Sequence, residues 1–184
     1  MLGINGEFPL VIRKATRSDV QAIWDIRIAA ICAQCRGFYS AEILDAWTNG
    51  DPTEQFSILV ESSFYVAADG DRVLGTGAID LESGQIDAIF VLPDLMSKGI
   101  GRQLLNYLEN MAVATGLNMA VLNSTLNAAP FYRKCGYEGN AIGVYQSPRG
   151  FNLDCVSMSK VLVPLAVDAQ PVSRADRPNN LFNQ

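Results

Sequence analysis

The stretch from Ile89 to Arg102 constrains the fold most, because it combines a strand, a turn and the start of a helix. The strand-like run ends at Pro93, and Gly99-Ile-Gly101 opens a segment with helical spacing of apolar residues. Backbone N–H groups in such a loop point toward one spot, where the helix dipole adds positive potential. Glycine lets a ligand approach the backbone without meeting a Cβ. The pattern therefore predicts an anion cradle suited to a pyrophosphate, with Lys98 and Arg102 supplying charge.

Other phosphate-binding loops fit this stretch poorly. A dinucleotide fingerprint needs a third glycine where Leu104 stands and an acidic ribose ligand about 20 residues further on, and neither is present. A P-loop needs Gly-Lys-Ser/Thr, which is absent. The alternative that stays open for the Gly-x-Gly alone is a glycine-containing turn before an ordinary helix.

The periodicity along the rest of the chain predicts a mixed α/β sheet. Ser18 with Gln21 fits a capping box, so the first helix should begin at Asp19 and end near Cys35 or Arg36. The further helices are predicted at 40–47, 99–115 and 128–134. The strands are predicted at 11–15, 63–68, 72–81, 85–92, 119–123, 141–146 and 151–161. The element order is β-α-α-β-β-β-α-β-α-β-β, with an antiparallel meander in the middle.

The length and charge of the chain narrow its class. A chain of 184 residues suits one domain, predicted at 1–163, followed by an aperiodic, proline-containing tail at 164–184 that is mobile or contacts a partner. No apolar run reaches the ~18–20 residues of a membrane helix, and no secretion signal precedes the first strand, so a cytoplasmic protein without a membrane partner is expected. Because nucleic-acid binding needs clustered basic residues, no nucleic-acid partner is expected for a chain with a net charge of −5.

The absence of histidine removes whole classes of chemistry, including Ser-His-Asp and Cys-His catalysis and His-ligated metals. Cys32 and Cys35 form a Cys-x-x-Cys pair, but it falls near the end of a helix rather than at its start. Cys135 and Cys155 lie far apart in sequence and cannot complete a compact zinc site. Free thiols and no metal are therefore expected.

Two motifs together resemble those of the GNAT superfamily of acetyl-CoA-dependent N-acetyltransferases. Val91, Pro93, Gly99 and Gly101 match the Val-x-Pro and Gly-x-Gly positions of its strand–loop–helix motif. The run Ala128-Ala-Pro-Phe-Tyr-Arg-Lys-Cys-Gly-Tyr137 is similar to the second signature of that family. The resemblance covers about residues 10–162 and implies a mostly antiparallel, twisted sheet flanked by helices.

The resemblance also implies a site for acetyl-CoA and no metal. The strand backbone of Phe90, Val91 and Leu92 would pair with the pantetheine arm. The amides that would hold the pyrophosphate belong to Ser97, Lys98, Gly99, Ile100, Gly101 and Arg102. Tyr132 matches the tyrosine that protonates the departing CoA thiolate. A polar cofactor contact falls to Thr125 or Asn127, and the motif spacing does not decide between them.

Two positions depart from the family pattern. Met96 occupies the Gln/Arg position of the loop, so a side-chain contact is lost while the backbone cradle is kept. Gln85 stands where some members carry a glutamate base, and a carboxamide cannot accept the proton. Asp87, on the same face of the strand, is either that base or a carboxylate with a solvated or orienting role. The remaining options are an ordered water chain and an amine that binds already neutral.

The acceptor is an amine on a small molecule or peptide, attacked directly in a ternary complex. The aromatic residues Trp24, Phe38, Tyr39 and Trp47 belong either to its wall or to the core, and Arg149 either faces it or is solvated. The acidic chain favours a cationic amine. The alternatives are a CoA-binding sensor or inactive module, and an interaction domain acting through the tail. A homodimer is left open.

Overall fold

The computed structural model of the protein describes residues 10–147 and 149–163. The tail predicted at 164–184 and the segment before the first strand lie outside the described residues. The strands are β1 (Val11–Lys14), β2 (Phe64–Asp69), β3 (Arg72–Ile79), β4 (Gln85–Val91), β5 (Met119–Thr125), β6 (Ile142–Gln146) and β7 (Asn152–Val161). The α-helices are α1 (Val20–Gln34), α2 (Ala41–Thr48), α3 (Glu54–Ser63), α4 (Ile100–Ala114) and α5 (Ala129–Lys134).

The strands form one seven-stranded sheet in the order β1-β2-β3-β4-β5-β7-β6. Every neighbouring pair is antiparallel except β4 with β5, which is parallel. This mostly antiparallel sheet flanked by helices confirms the predicted fold class. The β4–β5 ladder contains only the pairs Gln85↔Val121 and Ile86↔Leu122, so the two strands separate beyond it and leave a gap in the sheet.

A bulge in β4 lies next to this gap. Ala78 pairs with Ala88 and Ile79 pairs with Ile86, so Asp87 is the extra residue of β4 opposite β3. A bulge bends its strand and increases the local twist. The irregularity thus occurs where β4 turns away from β5.

The central strands β2 and β3 are buried on both faces, and the alternation along β2 sorts its side chains between them. Phe64 and Val66 pack in a cluster with Ile23 and Ile26 of α1, whereas Ala67 packs in a cluster with α4. The apolar face of α4 lies close to the strands. A Cβ placed on Gly77 would be 3.0 Å from Leu108 Cδ1 and 2.9 Å from Ile89 Cδ1, so glycine permits this approach.

Helix α3 was absent from the sequence prediction, and the element order must be corrected to β-α-α-α-β-β-β-α-β-α-β-β. Its start does carry a signal, because the Thr53 side chain accepts a hydrogen bond from the Phe56 N–H at 3.2 Å. Val60 is its only buried residue. With so little apolar surface on one face, α3 lacks the strong helical period that identified α1 and α4.

The start of the first helical segment also differs from the prediction. The capping box uses Thr16 and Asp19 instead of Ser18 and Gln21, and a turn of 3₁₀ helix at Arg17–Asp19 precedes α1. The Thr16 N–H donates to Asp19 Oδ2 at 2.8 Å. Asp19 also accepts a hydrogen bond from each terminal guanidinium nitrogen of Arg13, both at 2.8 Å. This pairing places the capping box two residues before the predicted position.

Two further features concern chemistry and location. The four cysteines are free, Cys35 and Cys155 being buried and Cys32 and Cys135 half-buried. Burial raises the pKa of the Cys35 thiol to about 11, so it is unreactive at neutral pH. Among the described residues, no helix combines the length and the apolar character needed to cross a membrane.

Candidate active site

Two cavities meet where β4 and β5 separate. The first, of about 660 Å³, lies against the loop before α4 and is called the loop cavity. The second, of about 610 Å³, lies against Trp24 of α1 and is called the tryptophan cavity. The residues that line both are Trp47, Ile89, Phe90, Thr125, Ala128 and Tyr132. A molecule in either cavity can therefore reach one in the other at the gap in the sheet.

The loop before α4 and the first turn of α4 offer a row of free N–H donors at the loop cavity. From Ser97 to Arg102 the N–H groups make no hydrogen bond to any described residue, and the first bond of the helix runs from the Gln103 N–H to the Gly99 carbonyl at 3.0 Å. No side chain caps the helix at Gly99. Ser97 and Gly99 adopt φ values of 64° and 87°, which turn the chain sharply before the helix. Such an uncapped start favours an anion.

The side chains of this loop do not all face the cavity. Ser97 and Arg102 line it, whereas Lys98 is exposed outside it and Ile100 is buried against α4 neighbours. Lys98 and Ile100 therefore have only their N–H groups to offer. A Cβ on Gly101 would lie 3.5 Å from Phe131 Cζ, which is an ordinary contact, so the protein atoms around Gly101 leave space for alanine.

The free edge of β4 presents Val91. The Leu92 N–H donates to the Leu74 carbonyl at 3.0 Å, and Leu92 accepts from the Leu95 N–H at 2.9 Å. Leu92 therefore has no free backbone group for a ligand, contrary to the sequence prediction. Because strand residues point their backbone groups to alternate edges, Phe90 faces β3 like Leu92, and Val91 faces the gap. Phe90 instead lines both cavities with its side chain.

Tyr132 on α5 stands at the junction of the two cavities. It is 7% exposed, and its ring packs edge-on against Phe131 and Tyr137 at centroid distances of 5.0 and 5.7 Å. Its hydroxyl makes no hydrogen bond to the described part of the chain. Burial, with a smaller contribution from Cys135, raises the pKa of Tyr132, so the phenol keeps its proton at neutral pH. It is a donor without an internal acceptor.

The end of β5 and the turn after it supply two polar groups. Thr125 and Asn127 both line the loop cavity, and Thr125 also reaches the tryptophan cavity. The Asn127 Oδ1 accepts a weak hydrogen bond from Cys35 Sγ at 3.4 Å, which leaves its amide nitrogen available. The structure brings both residues to the cavity.

Tyr39 holds this turn in place, a role that the sequence did not indicate. Its hydroxyl accepts from the Leu126 N–H at 3.0 Å and donates to the Asp154 carbonyl at 2.7 Å. Tyr39 lines neither cavity, and neither does the exposed Phe38. Of the four aromatic residues considered for an acceptor wall, only Trp24 and Trp47 face a cavity.

Asp87, the bulge residue, lines the tryptophan cavity beside Gln85. Asp87 is exposed, yet reduced hydration within the cavity is the larger cause, and the nearby Asp80 carboxylate the smaller, of its raised pKa. A carboxylate with a raised pKa is a stronger base than an ordinary aspartate. No cluster of three metal-ligating side chains occurs among residues 10–147 and 149–163.

Two arginines also line the tryptophan cavity. The guanidinium of Arg27 lies 4.9 Å from the ring centroid of Trp24, and that of Arg149 lies 5.6 Å from the same ring. Trp24 is buried, and its indole N–H donates to the Gly50 carbonyl at 3.1 Å. Arg149 therefore belongs to the cavity wall, and Trp24 serves both wall and core. Arg27 was not predicted as a site residue, because nothing in the sequence of α1 distinguishes it from a surface arginine.

Comparison with known sequences gives an independent result. The profile of the acetyltransferase (GNAT) domain matches residues 61–139. An uncharacterized N-acetyltransferase of Bacillus subtilis (strain 168), YjcF, is 34% identical over 79 residues. That match spans 42% of this chain and 56% of YjcF, so the chain covers about half of the length of this relative. The residues matched by the profile, 61–139, include the strand–loop–helix region.

Comparison with solved structures shows the same fold. A GCN5-related N-acetyltransferase from Rhodopseudomonas palustris superimposes with a TM-score of 0.75 at 24% identity, covering 83% of this chain and 95% of that protein. The YncA acetyltransferase of Salmonella typhimurium, whose structure contains its cofactor acetyl-CoA, superimposes with a TM-score of 0.60 at 23% identity. That superposition covers 88% of this chain and 99% of YncA.

Proposed function

We propose that this chain, whose residues 61–139 match the GNAT acetyltransferase domain and whose fold is that of GNAT proteins, transfers an acetyl group from acetyl-CoA to an amine. One observation carries the proposal. A row of unbonded N–H groups before α4 opens into the same cavity as an unbonded, protonated tyrosine at the gap between β4 and β5. An anion cradle and an acid in one cavity suit a cofactor that joins a pyrophosphate to a thioester.

The cofactor would lie in the loop cavity. Its pyrophosphate would accept hydrogen bonds from the amides between Ser97 and Arg102, where the dipole of α4 favours negative charge. Its pantetheine arm would extend along the free edge of β4 and bond to Val91. Thr125 and Asn127 would contact it from the opposite side of the gap. The acetyl-CoA bound to YncA, a protein of the same fold, supports this assignment.

The acetyl transfer would take place at the junction of the cavities. The amine, entering from the tryptophan cavity, attacks the thioester carbonyl, and the Val91 N–H stabilises the oxyanion that forms. The carbon–sulfur bond then breaks, and Tyr132 donates its proton to the departing thiolate. The raised pKa of Tyr132 keeps this proton in place until the sulfur becomes negative.

The attacking nitrogen must also lose a proton. Asp87 is the carboxylate that lines the acceptor side, and its raised pKa favours proton uptake. We assign it as the base, acting directly or through a water molecule between it and the amine. Gln85 cannot share this role, and its side-chain nitrogen donates to the Ile86 carbonyl at 3.2 Å.

The test is acetyl-CoA turnover with a panel of amines. The CoA product should be quantified by chromatography, because the half-buried free thiols of Cys32 and Cys135 would react with a thiol reagent. We expect acetyl-CoA binding by calorimetry and amine-dependent CoA release. Binding without release for every amine would identify a CoA-binding module without transfer activity, and no binding would reject the assignment altogether.

A further inference from the structure

Two arginines in the tryptophan cavity have no acidic partner. Arg27 and Arg149 line this cavity and not the loop cavity, and both donate to the carbonyl of Trp47, a residue that lines both cavities. Neither forms an ion pair with a described carboxylate, although the chain has more acidic than basic residues. Arg149 is exposed, but Arg27 is half-buried, and a partly buried guanidinium without a counter-ion costs free energy that a bound anion would offset.

Their internal hydrogen bonds use only part of their donors. Arg27 Nη2 donates to the Trp47 carbonyl at 2.9 Å, and Arg149 Nη1 donates to the same carbonyl at 2.8 Å. The other terminal nitrogen of Arg149 bonds to the Asn49 carbonyl. Arg27 Nη1 is buried and has no partner among the described residues. A guanidinium carries five N–H donors, so this cavity wall has donors to spare.

The electrostatic state of Arg27 agrees with this description. Burial, and secondarily the charge of Arg149, lowers the pKa of Arg27 to about 10. Arg27 is therefore still a cation at neutral pH, but one whose charge is poorly compensated. An anion between the two groups would remove the repulsion and supply the missing acceptor.

We propose that the acceptor is an amine that also carries a carboxylate, of the amino-acid class, and that Arg27 and Arg149 bind this carboxylate. The proposal rests on the proposed acetyl transfer. A planar carboxylate accepts two parallel N–H···O bonds from one guanidinium. This bidentate geometry uses the fork of the arginine side chain, which pairing with a point charge would not require. The wall beside the arginines is apolar, formed by Trp24, Phe56 and Phe64, so an apolar side chain on the acceptor suits it.

The orientation follows from the cavity lining. The carboxylate would occupy the arginine end, and the amine would lie at the other end, where Tyr132 and Phe90 also line the loop cavity. Asp87 lines the same cavity and would face the amine rather than the carboxylate. The overall net charge favoured a cationic amine but left amino acids open, and this distribution of charge favours the amino acids.

A structural role explains some of these contacts but not all. Arg149 bonds to carbonyls at the end of α2 and just beyond it, which stabilises the C-terminus of that helix. The buried, unpartnered Nη1 of Arg27 has no place in that explanation. The experiment must therefore measure acceptor selectivity, which helix capping alone does not change.

The test compares matched acceptors with the wild-type protein. L-phenylalanine and L-leucine should be compared with their amides and with the amines that lack the carboxyl carbon, at saturating acetyl-CoA. We expect kcat/KM to favour the free carboxylates by about 10–100-fold, the value of charged hydrogen bonds in a partly buried site. Equal turnover of acid and amide would overturn the proposal while leaving acetyl transfer intact. Preference for an aminophosphonate over the carboxylates would reject the carboxylate assignment.

Arg27→Met then removes the charge while keeping most of the side-chain volume. We expect the preference for carboxylates to fall by about tenfold or more, mainly through KM, with the acetyl-CoA Kd unchanged. Arg17→Met is the matched control, because Arg17 is an exposed arginine in ion pairs with Glu54 and Glu61, outside both cavities. If Arg27→Met does not fold, Arg149→Met should show the same loss of preference. Unchanged selectivity in a folded arginine variant would contradict the proposal.

If acetyl-CoA binds but no acceptor in the panel reacts, binding of the same matched pairs to the CoA complex should be measured by calorimetry. Tighter binding of the acids than of their amides supports the carboxylate site, and equal or absent binding overturns it. Failure of acetyl-CoA itself to bind rejects the proposed function, and the two failures are thereby distinguished.

Discussion

Tyr132 combines burial with a hydroxyl that lacks an internal acceptor, and its assigned role makes a kinetic prediction. The proton is needed only as the carbon–sulfur bond breaks, so Tyr132→Phe should lower kcat by about 100-fold. The acetyl-CoA Kd should stay nearly unchanged, because phenylalanine keeps the ring that packs against Phe131. Single-turnover kinetics and calorimetry measure the two quantities.

Tyr107→Phe provides the control for that substitution, since Tyr107 lies on α4 and lines neither cavity. Its kcat should equal that of the wild type. An unchanged kcat in Tyr132→Phe, with chemistry shown to be rate-limiting, would remove Tyr132 from the mechanism.

Substitution of Asp87 by asparagine should affect the thermal stability and the catalytic rate differently. Its folded-state pKa is raised, so the native protein holds a proton at this group more tightly than the unfolded chain, and its contribution to stability declines as pH rises through the raised pKa. Asp87→Asn should therefore leave the Tm at pH 7.5 equal or slightly higher. The same variant should lower kcat by about 100-fold if Asp87 is the base.

The pH profile supplies the second measurement on Asp87. In the wild type, kcat/KM should fall with decreasing pH at a higher value than an unperturbed aspartate would give. In Asp87→Asn this acidic limb should disappear. Retention of the full rate and the same limb would assign proton removal to water.

At the level of elements, the loop before α4 depends on backbone donors, and substitutions should show this. Gly101→Val should raise the acetyl-CoA Kd by at least about tenfold, or 1.4 kcal/mol, because its methyl groups project where the ligand approaches. A Cβ fits at Gly101, but the γ-methyl groups of valine reach beyond it, so the Tm is measured beside the Kd to establish that the variant folds. Lys98→Ala should weaken binding only modestly, since Lys98 is exposed and outside the cavity. Normal affinity in Gly101→Val would contradict the cradle.

The start of α1 makes a prediction about acid stability. Hydrogen bonds from Arg13, opposed by burial and aided by Thr16, lower the pKa of Asp19 to about 2. A lowered pKa stabilises the native state above the unfolded value near 3.9, and this contribution is lost as pH falls toward 2. Asp19→Asn should thus cost about 2 kcal/mol at pH 7 by urea unfolding. The deficit should shrink toward pH 2, and a deficit independent of pH would assign the effect to packing.

The elements differ in how readily their sequences predict them. The strands and α4 have strong periods and clear glycine or proline boundaries, and they were predicted within a few residues of the structure. Helix α3 buries only Val60, so its cap at Thr53 was the remaining signal. The capping box moved because Arg13 in β1 binds Asp19, a contact that the local Ser/Gln pattern does not contain.

At the scale of the whole molecule, the site depends on contacts between distant segments. The two motifs identified the family and the loop, and the comparisons support that identification. The gap between β4 and β5 was not predictable, because periodicity does not specify how many residues of a parallel pair bond. The arginine pair joins α1 to the turn before β7, and only the folded chain brings Arg27 and Arg149 to one tryptophan.

The same architecture predicts how the whole molecule responds to its cofactor. The strands β1–β4 and β5–β7 are joined in the sheet by only two registered pairs, at Gln85 and Ile86. A ligand held by both sides of the gap should therefore stabilise the native state as a unit. At about 100 times the Kd, acetyl-CoA should add about 2.7 kcal/mol to the free energy of unfolding. Thermal or urea unfolding at graded acetyl-CoA concentrations measures this gain.

Hydrogen exchange should locate that stabilisation. The amides from Ser97 to Arg102 make no hydrogen bond to described residues, and Val91 faces the gap, so these sites should exchange fast without ligand and slow markedly with acetyl-CoA. The Leu92 amide, already bonded to Leu74, should change less and provides an internal control. Protection confined to β6, far across the sheet, or absent from the loop would place the cofactor elsewhere. Equal slowing on both sides of the gap would instead show that the ligand joins the two halves of the sheet, as the proposed position of acetyl-CoA requires.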